Sequence, residues 1–376
     1  MSETDMPEKR PDKLPVSVIT GFLGSGKTTL LRHLLMQDWM KDTAVVINEF
    51  GEIGLDHELV EAAREDTILL ASGCLCCTIR GDLIDTLRRL FKQRDRGEIP
   101  AFRRLVIETT GLADPAPILQ TLIGDPLLSA FYRLDGVITT VDAVNAMSQM
   151  DSQIESVKQA AVADRLLVTK SDLATDSDLT ALEARLRQIN PAAPIYRIRQ
   201  GEIAADQLFN AGLYNPETKS LDVQNWLRLE AYATSETHET EPPGHDHHDD
   251  HDDPHHDHHH HAEAPHHHDI NRHDDHIRAF SLTHAAPLDW DKFVTWIEML
   301  IATQGINLLR IKGILNIIGE EKPVAIHGIQ HLFHPPVVLP DWPSADRRSR
   351  LVFITRDLDA SELGKSLADF QNSPIA

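Results

Sequence analysis

The chain has 376 residues, 36 Lys plus Arg against 58 Asp plus Glu, and a formal net charge of -22 with histidines neutral. That balance lacks the excess of Lys and Arg needed to grip a phosphate backbone, so it excludes a basic nucleic-acid binder. With 41% hydrophobic and 25% charged residues the composition is globular, and the length predicts two domains, each able to bury a core.

Residues 1–13 form a polar tail with no apolar run, so neither a signal peptide nor an anchor is expected there. No stretch reaches the ~18 consecutive apolar residues of a membrane span, and no membrane partner is expected. The first predicted strand, 16–20, leads into Gly21-Phe-Leu-Gly-Ser-Gly-Lys27-Thr28, and a predicted helix follows over 28–36. Strand, glycine-rich loop and helix are the context a phosphate-binding loop requires. Gly21, Gly24 and Gly26 let the backbone wrap a polyphosphate, with Ser25 and Thr29 in the same segment. Lys27 reaches the β- and γ-phosphates, and the Thr28 hydroxyl suits Mg²⁺.

A strand over 44–48 ends in Asn48-Glu49-Phe50-Gly51-Glu52, where a nucleotide switch loop would lie. Glu49 and Glu52 are candidates to contact Mg²⁺, to complete another metal shell, or to face solvent. A strand over 67–71 precedes Gly73-Cys74-Leu75-Cys76-Cys77, which holds all three cysteines of the chain. Neighbours that close make poor disulfide partners, which favours a reducing, cytoplasmic setting and a metal or redox role. Three thiolates offer soft ligands to Zn²⁺, which takes about four, so the shell needs a further ligand or stays open.

A helix is predicted over 79–94 and a strand over 104–108, ending in Glu108-Thr-Thr-Gly111. A carboxylate at such a strand end can hold Mg²⁺, and the Gly111 amide can sense a γ-phosphate. Lys27 and Glu108 are therefore the catalytic candidates, with the water-orienting residue unidentified. A helix over 116–123, a strand over 136–141 and a helix over 154–161 lead to a strand over 165–169. That strand ends in Thr169-Lys170-Ser171-Asp172, where the carboxylate can accept from N1–H and the 2-amino group of guanine. Asn is commoner at the Thr169 position in GTPases. A helix over 178–189 and a strand over 195–198 complete an α/β, doubly wound, mostly parallel sheet expected over 14–233.

From 234 to 276 the sequence is low in complexity and reads as a disordered linker. Sixteen of the 22 histidines lie between His238 and His276, beside 12 Asp or Glu and one Arg, a local net charge of -11. Imidazoles at His245, His247, His248, His251, His255, His256, His258, His259, His260, His261, His266, His267 and His268 suit Zn²⁺, Co²⁺ or Ni²⁺ as auxiliary ligands. A solvated charged linker is the plain alternative. His33, His57, His284, His327, His331 and His334 are scattered and read as structural or surface residues. The remainder, 277–376, predicts strands over 277–283, 308–318, 323–331 and 350–356 with helices over 290–302 and 361–370, a smaller C-terminal α+β domain.

The phosphate loop, Asn48–Glu52, Gly73–Cys77, Glu108-Thr-Thr-Gly-Leu-Ala-Asp-Pro115 and Thr169–Asp172 occur in the order seen in the CobW-type GTPases, and the chain resembles their YjiA-like branch from about residue 16 to 358. The resemblance implies a GTP-hydrolysing metallochaperone of the class that includes UreG and HypB. It implies Cys74, Cys76 and Cys77 as the zinc site, Mg²⁺ as cofactor, and a metal-receiving client protein as partner. Cobalt delivery for corrin synthesis, a passive His-rich metal store and a P-loop kinase or ATPase are the competing readings. No motif encodes a homo-oligomer or excludes one. If the histidine run is a reservoir, deleting His245–His268 should lower metal stoichiometry while one tight site remains, as read by equilibrium dialysis; unchanged stoichiometry refutes it.

Overall fold

In a computed structural model, residues 13–48, 68–71, 79–209 and 276–373 are described. The first part alternates strands and helices: β1 (Leu14–Gly21), α1 (Lys27–Leu35), β2 (Thr43–Asn48), β3 (Ile68–Ala71), α2 (Ile79–Asp95), β4 (Arg104–Thr109) and α3 (Ala116–Gly124). Then come α4 (Pro126–Phe131), β5 (Tyr132–Asp142), α5 (Ala146–Ser152), α6 (Ile154–Ala161), β6 (Arg165–Thr169), α7 (Asp176–Ile189), β7 (Ile195–Arg197) and the single turn α8 (Ala205–Leu208). The seven strands pair in parallel in the order β3-β2-β4-β1-β5-β6-β7.

The strands are apolar on both faces because both faces are covered. Along β2, Ala44 and Val46 pack toward Leu83 and Leu87 of α2, while Val45 and Ile47 pack toward Leu30 and Leu34 of α1. In β4 the same period of two sends Leu105 and Ile107 one way and Val106 the other. The chain leaves β1 toward β2 and β3, returns to β4, and crosses to β5. β1 is therefore where the strand order reverses, the place at which open α/β sheets bind ligands.

Three short helices, α4, α5 and the single turn α8, are not among the predicted elements. α4 starts at Asp125, whose carboxylate accepts from the Leu127 and Leu128 amides at 3.0 and 2.8 Å, with Pro126 first in the helix. Its six residues and the seven of α5 are too few to display a helical period.

The C-terminal part comprises β8 (Ile277–His284), α9 (Trp290–Gln304), β9 (Leu308–Leu315), β10 (Val324–Ile329), β11 (Leu332–Phe333), β12 (Val337–Val338), β13 (Ser349–Arg356) and α10 (Ala360–Asn372). Its antiparallel sheet runs β11-β10-β9-β13-β8, with β12 on β10. On one face Leu351 and Phe353 pack on Trp296, Leu300 and Leu367 from α9 and α10. On the other, Ile277, Ala279, Val352 and Ile354 join Leu179, Leu182 and Leu186 of α7 in one apolar cluster. The two sheets thus share a core through the nucleotide-domain helices.

A buried charge cluster pins this interface. Asp164, just before β6, accepts from Arg310 and, at 2.9 Å, from Lys312, both on β9. Its second oxygen accepts from the Val137 amide at 2.9 Å. Burial pushes the Asp164 carboxyl up, but the Arg310 and Lys312 cations outweigh it and hold the group well below the ordinary value of 3.8. Burial and the adjacent guanidinium pull the Lys312 ammonium down to about 8. Buried His327 stacks on the partly buried His334, with ring centroids 5.0 Å apart, in the field of these charges. Removing the carboxylate strands two buried cations, so Asp164→Ala should cost about 3–5 kcal/mol in denaturant unfolding. Because the folded-state carboxyl is depressed, its contribution is complete above 3.8 and is lost as pH falls below it; the variant should lack that share of the acid-side loss.

Candidate functional site

At the C-terminal end of β1 the backbone turns through Gly21–Gly26 into α1. Gly26 holds φ 91° as the helix N-cap and provides no side-chain cap, which leaves the first amides of α1 aimed outward for an anion. Lys27 is buried and its Nζ donates to Gly21 O at 2.8 Å and Phe22 O at 3.2 Å, curling the ammonium back over the loop. The Ser25 and Thr140 hydroxyls are 2.6 Å apart, tying the loop to β5.

A cleft of about 360 Å³ opens above this loop, lined by Leu23, Gly24, Gly26, Lys27, Thr28, Thr29, Glu108, Thr109, Thr110, Gly111 and Lys170. Glu108 is buried at the end of β4, and Thr109 beside it donates to the Thr20 hydroxyl at 2.8 Å. Gly111 presses on the loop: a Cβ there would meet Leu23 Cα at 2.6 Å and Lys27 Nζ at 3.1 Å. Only a residue without a side chain brings its backbone that close to the ammonium. The hydroxyl of Thr28 and the carboxylate of Glu108, on one cleft, are the hard oxygen donors that Mg²⁺ takes.

Thr169 explains the departure from the commoner Asn. Its hydroxyl donates to Ser25 O at 2.8 Å, with Val141 O as a second acceptor at 3.2 Å, so it couples the end of β6 to the phosphate loop. Lys170, at φ 54°, reaches Asp142 at 2.8 Å. Burial pushes the Asp142 carboxyl up, but hydrogen bonds from Lys170, Asn145 and the Val144 amide hold it below its ordinary value. Ser171 donates to Ile198 O at 3.2 Å, and Asp172 stands exposed beyond it.

Gly24, Gly26, Lys27, Thr28, Thr29, Glu108, Gly111 and Lys170 therefore meet at one cleft, with Gly21, Ser25 and Thr169 beneath it. Glu49, Glu52, Cys74, Cys76, Cys77 and the histidine run lie outside the described residues. Sequence reasoning passed over Asp142 and Gln159. Asp142 carried a usable sign, an acidic residue ending an apolar strand; Gln159, inside a helix, carried none.

The profile of the CobW/HypB/UreG nucleotide-binding domain matches residues 15–197, and that of the cobalamin synthesis protein cobW C-terminal domain matches 277–371. The chain is 34% identical to the zinc chaperone YjiA of Escherichia coli over 355 residues, covering 94% of this chain and 98% of that protein. It is 32% identical over 237 residues to zinc-regulated GTPase metalloprotein activator 1 of Schizosaccharomyces pombe, covering 61% and 52%. The crystal structure of Zn(II)-bound YjiA GTPase from Escherichia coli superposes with a TM-score of 0.66 at 30% identity, covering 96% of this chain and 100% of that one.

Replacing the linking hydroxyl should be visible at both ends of the contact. Thr169→Val keeps the volume but strands the Ser25 carbonyl, so it should cost about 1–3 kcal/mol in denaturant unfolding and weaken GDP binding in a fluorescence titration. Unchanged GDP affinity would show that the tie does not shape the loop.

Proposed function

The chain belongs to the CobW family of P-loop GTPases, and on that premise we propose that it is a zinc chaperone which binds the metal through Cys74, Cys76 and Cys77 and releases it to a client protein under the control of GTP. Hydrolysis of GTP to GDP and phosphate is its enzymatic activity. Glu49 or Glu52 completes the thiolate shell, because Zn²⁺ takes about four ligands.

One observation carries this reading. The strand registers align Ala71, Ile47, Glu108 and Ile19 in a single row across β3, β2, β4 and β1. At the usual strand spacing Ala71 stands roughly 10 Å from Glu108, two strands away. In sequence Cys74 comes three residues after the end of β3 and Glu49 directly follows β2. The strand ends from which both proposed metal-binding segments continue are therefore level with the strand ends that carry the phosphate ligands.

The residues present divide the work. The amides at the start of α1, with Lys27 and the Gly111 amide, hold the phosphates and offset the charge that grows on them during transfer. Thr28 and Glu108 would hold Mg²⁺, which would supply neutralisation of the phosphate charge. Asp172 selects guanine by accepting from N1–H and the 2-amino group, and Thr169 keeps that reader in register with the phosphate loop. A purely passive metal store would have no use for such a cleft. The γ-phosphate orders the segment after β2, and its loss loosens the neighbouring thiolate site.

Anaerobic titration of Zn²⁺ and Co²⁺ into the wild type and a Cys74/Cys76/Cys77→Ser variant, each with GTP·Mg²⁺ and with GDP, tests the proposal. The tight site should vanish in the variant, and in the wild type its affinity should differ about tenfold between nucleotides. A tight site indifferent to both the cysteines and the nucleotide contradicts it.

A further inference from the structure

The turn after β4 does not hold itself in place. Ala113 N–H and the Thr109 hydroxyl donate to Thr110 O at 3.2 and 3.3 Å, but the carbonyls of Gly111 and Ala113 are held from α6. The Gln159 amide, buried beneath the turn, donates to Gly111 O at 3.3 Å and to Ala113 O at 3.0 Å. Both neighbours are carbonyl oxygens, so the NH₂ of this side chain must be the end that faces them. One residue earlier on the helix, Lys158 Nζ reaches the Asp114 carboxylate at 3.0 Å, and the other oxygen of Asp114 accepts the Ala116 amide at the start of α3. Gln159 is itself anchored, since its own carbonyl accepts from the Thr139 hydroxyl at 2.8 Å.

The C-terminal end of α6, next to Gln159, is gripped just as firmly. A helix leaves its last carbonyls without partners, and here Asn190 donates to Ala160 O, Ala161 O and Ala163 O at 2.9–3.1 Å. Arg310, from the C-terminal sheet, donates to Val162 O and, at 2.7 Å, to Ala163 O while pairing with Asp164. Only one helical turn separates Gln159 from the carbonyls that Arg310 holds.

We infer that Gln159 is a positioning residue for GTP hydrolysis, setting the turn that places the Gly111 amide beside Lys27, and that α6 lets the C-terminal domain adjust it through Arg310. This rests on the GTPase reading above. Gly111 has no room for a side chain against Leu23 and Lys27, so a displacement of its turn is felt at the γ-phosphate end of the cleft and not at the base-reading end. GDP, which lacks the γ-phosphate, should be indifferent to it.

The test compares GTP turnover, GDP affinity and the affinity for a non-hydrolysable GTP analogue in Gln159→Met, Lys158→Gln and Arg310→Lys. Gln159→Met keeps the bulk and loses both donors; kcat should fall about tenfold while GDP affinity stays within about twofold. Lys158→Gln alters a partly exposed pair that the fold tolerates and should lower kcat in the same direction by a smaller factor. Arg310→Lys keeps the charge and loses the fork, and its effect on kcat should be non-additive with Lys158→Gln. Unchanged kcat in the first two variants, or GDP and analogue weakening together, overturns the positioning role. Strictly multiplicative effects of Arg310→Lys and Lys158→Gln overturn the link to the C-terminal domain. Absence of turnover in the wild type would instead overturn the GTPase reading itself.

Discussion

The parallel pairing of β1 between β4 and β5 is the constraint from which the site follows. Parallel strands send all their C-terminal ends to one edge, and the reversal of strand order at β1 leaves room there for a ligand. The register then decides which residues share that edge. Ile19, the last apolar residue before the phosphate loop, is level with Glu108, and Glu108 is level with Ile47. A slip of one residue would turn Glu108 toward the opposite face of the sheet and bury a carboxylate among the leucines of α1 or α2. The apolar alternation of β2 and β4 onto two covered faces makes such a slip costly, so core packing fixes the chemistry at the edge.

The second organising contact joins the two sheets. Asp164, Arg310 and Lys312 are buried, and taking such charges out of water consumes most of what their attraction returns. Their contribution is better understood as orientation. Arg310 seats β9 on the last carbonyls of α6, while the apolar cluster of Ile277, Val352 and Ile354 against α7 provides the bulk of the adhesion. The C-terminal domain is thereby attached to the helix that supports the turn after β4.

The elements that repeat a local period were legible. The helix starting at Ile79 and the strand Arg165–Thr169 emerged with boundaries close to those found, because the first is long enough to show its apolar face and the second has a continuous apolar centre, Leu166–Val168. The phosphate loop was legible because its chemistry is contiguous in sequence. What escaped notice is non-local. Gln159 and Gly111 are 48 positions apart, and Arg310 and Asp164 are 146 apart; no local pattern reports that a helix glutamine will face two carbonyls of a distant turn. Thr169 looked like a weak match to a motif until its hydroxyl was found to donate to Ser25. His327 and His334, read as ordinary scattered histidines, are stacked beside the charge cluster, with His327 buried.

The net charge of -22 also changes meaning once divided. Half of it is concentrated among sixteen histidines, and the other 337 residues carry -11, an ordinary acidic surface. The acidity is thus a local property that points to cations as cargo. The central claim is that metal and nucleotide share one sheet edge and therefore one free-energy balance, which linkage makes reciprocal. It is tested most directly by the dissociation constant for GTP·Mg²⁺ measured anaerobically with and without saturating Zn²⁺. The account predicts unequal values, separated by the same factor by which GTP changes zinc affinity; equal values would contradict it.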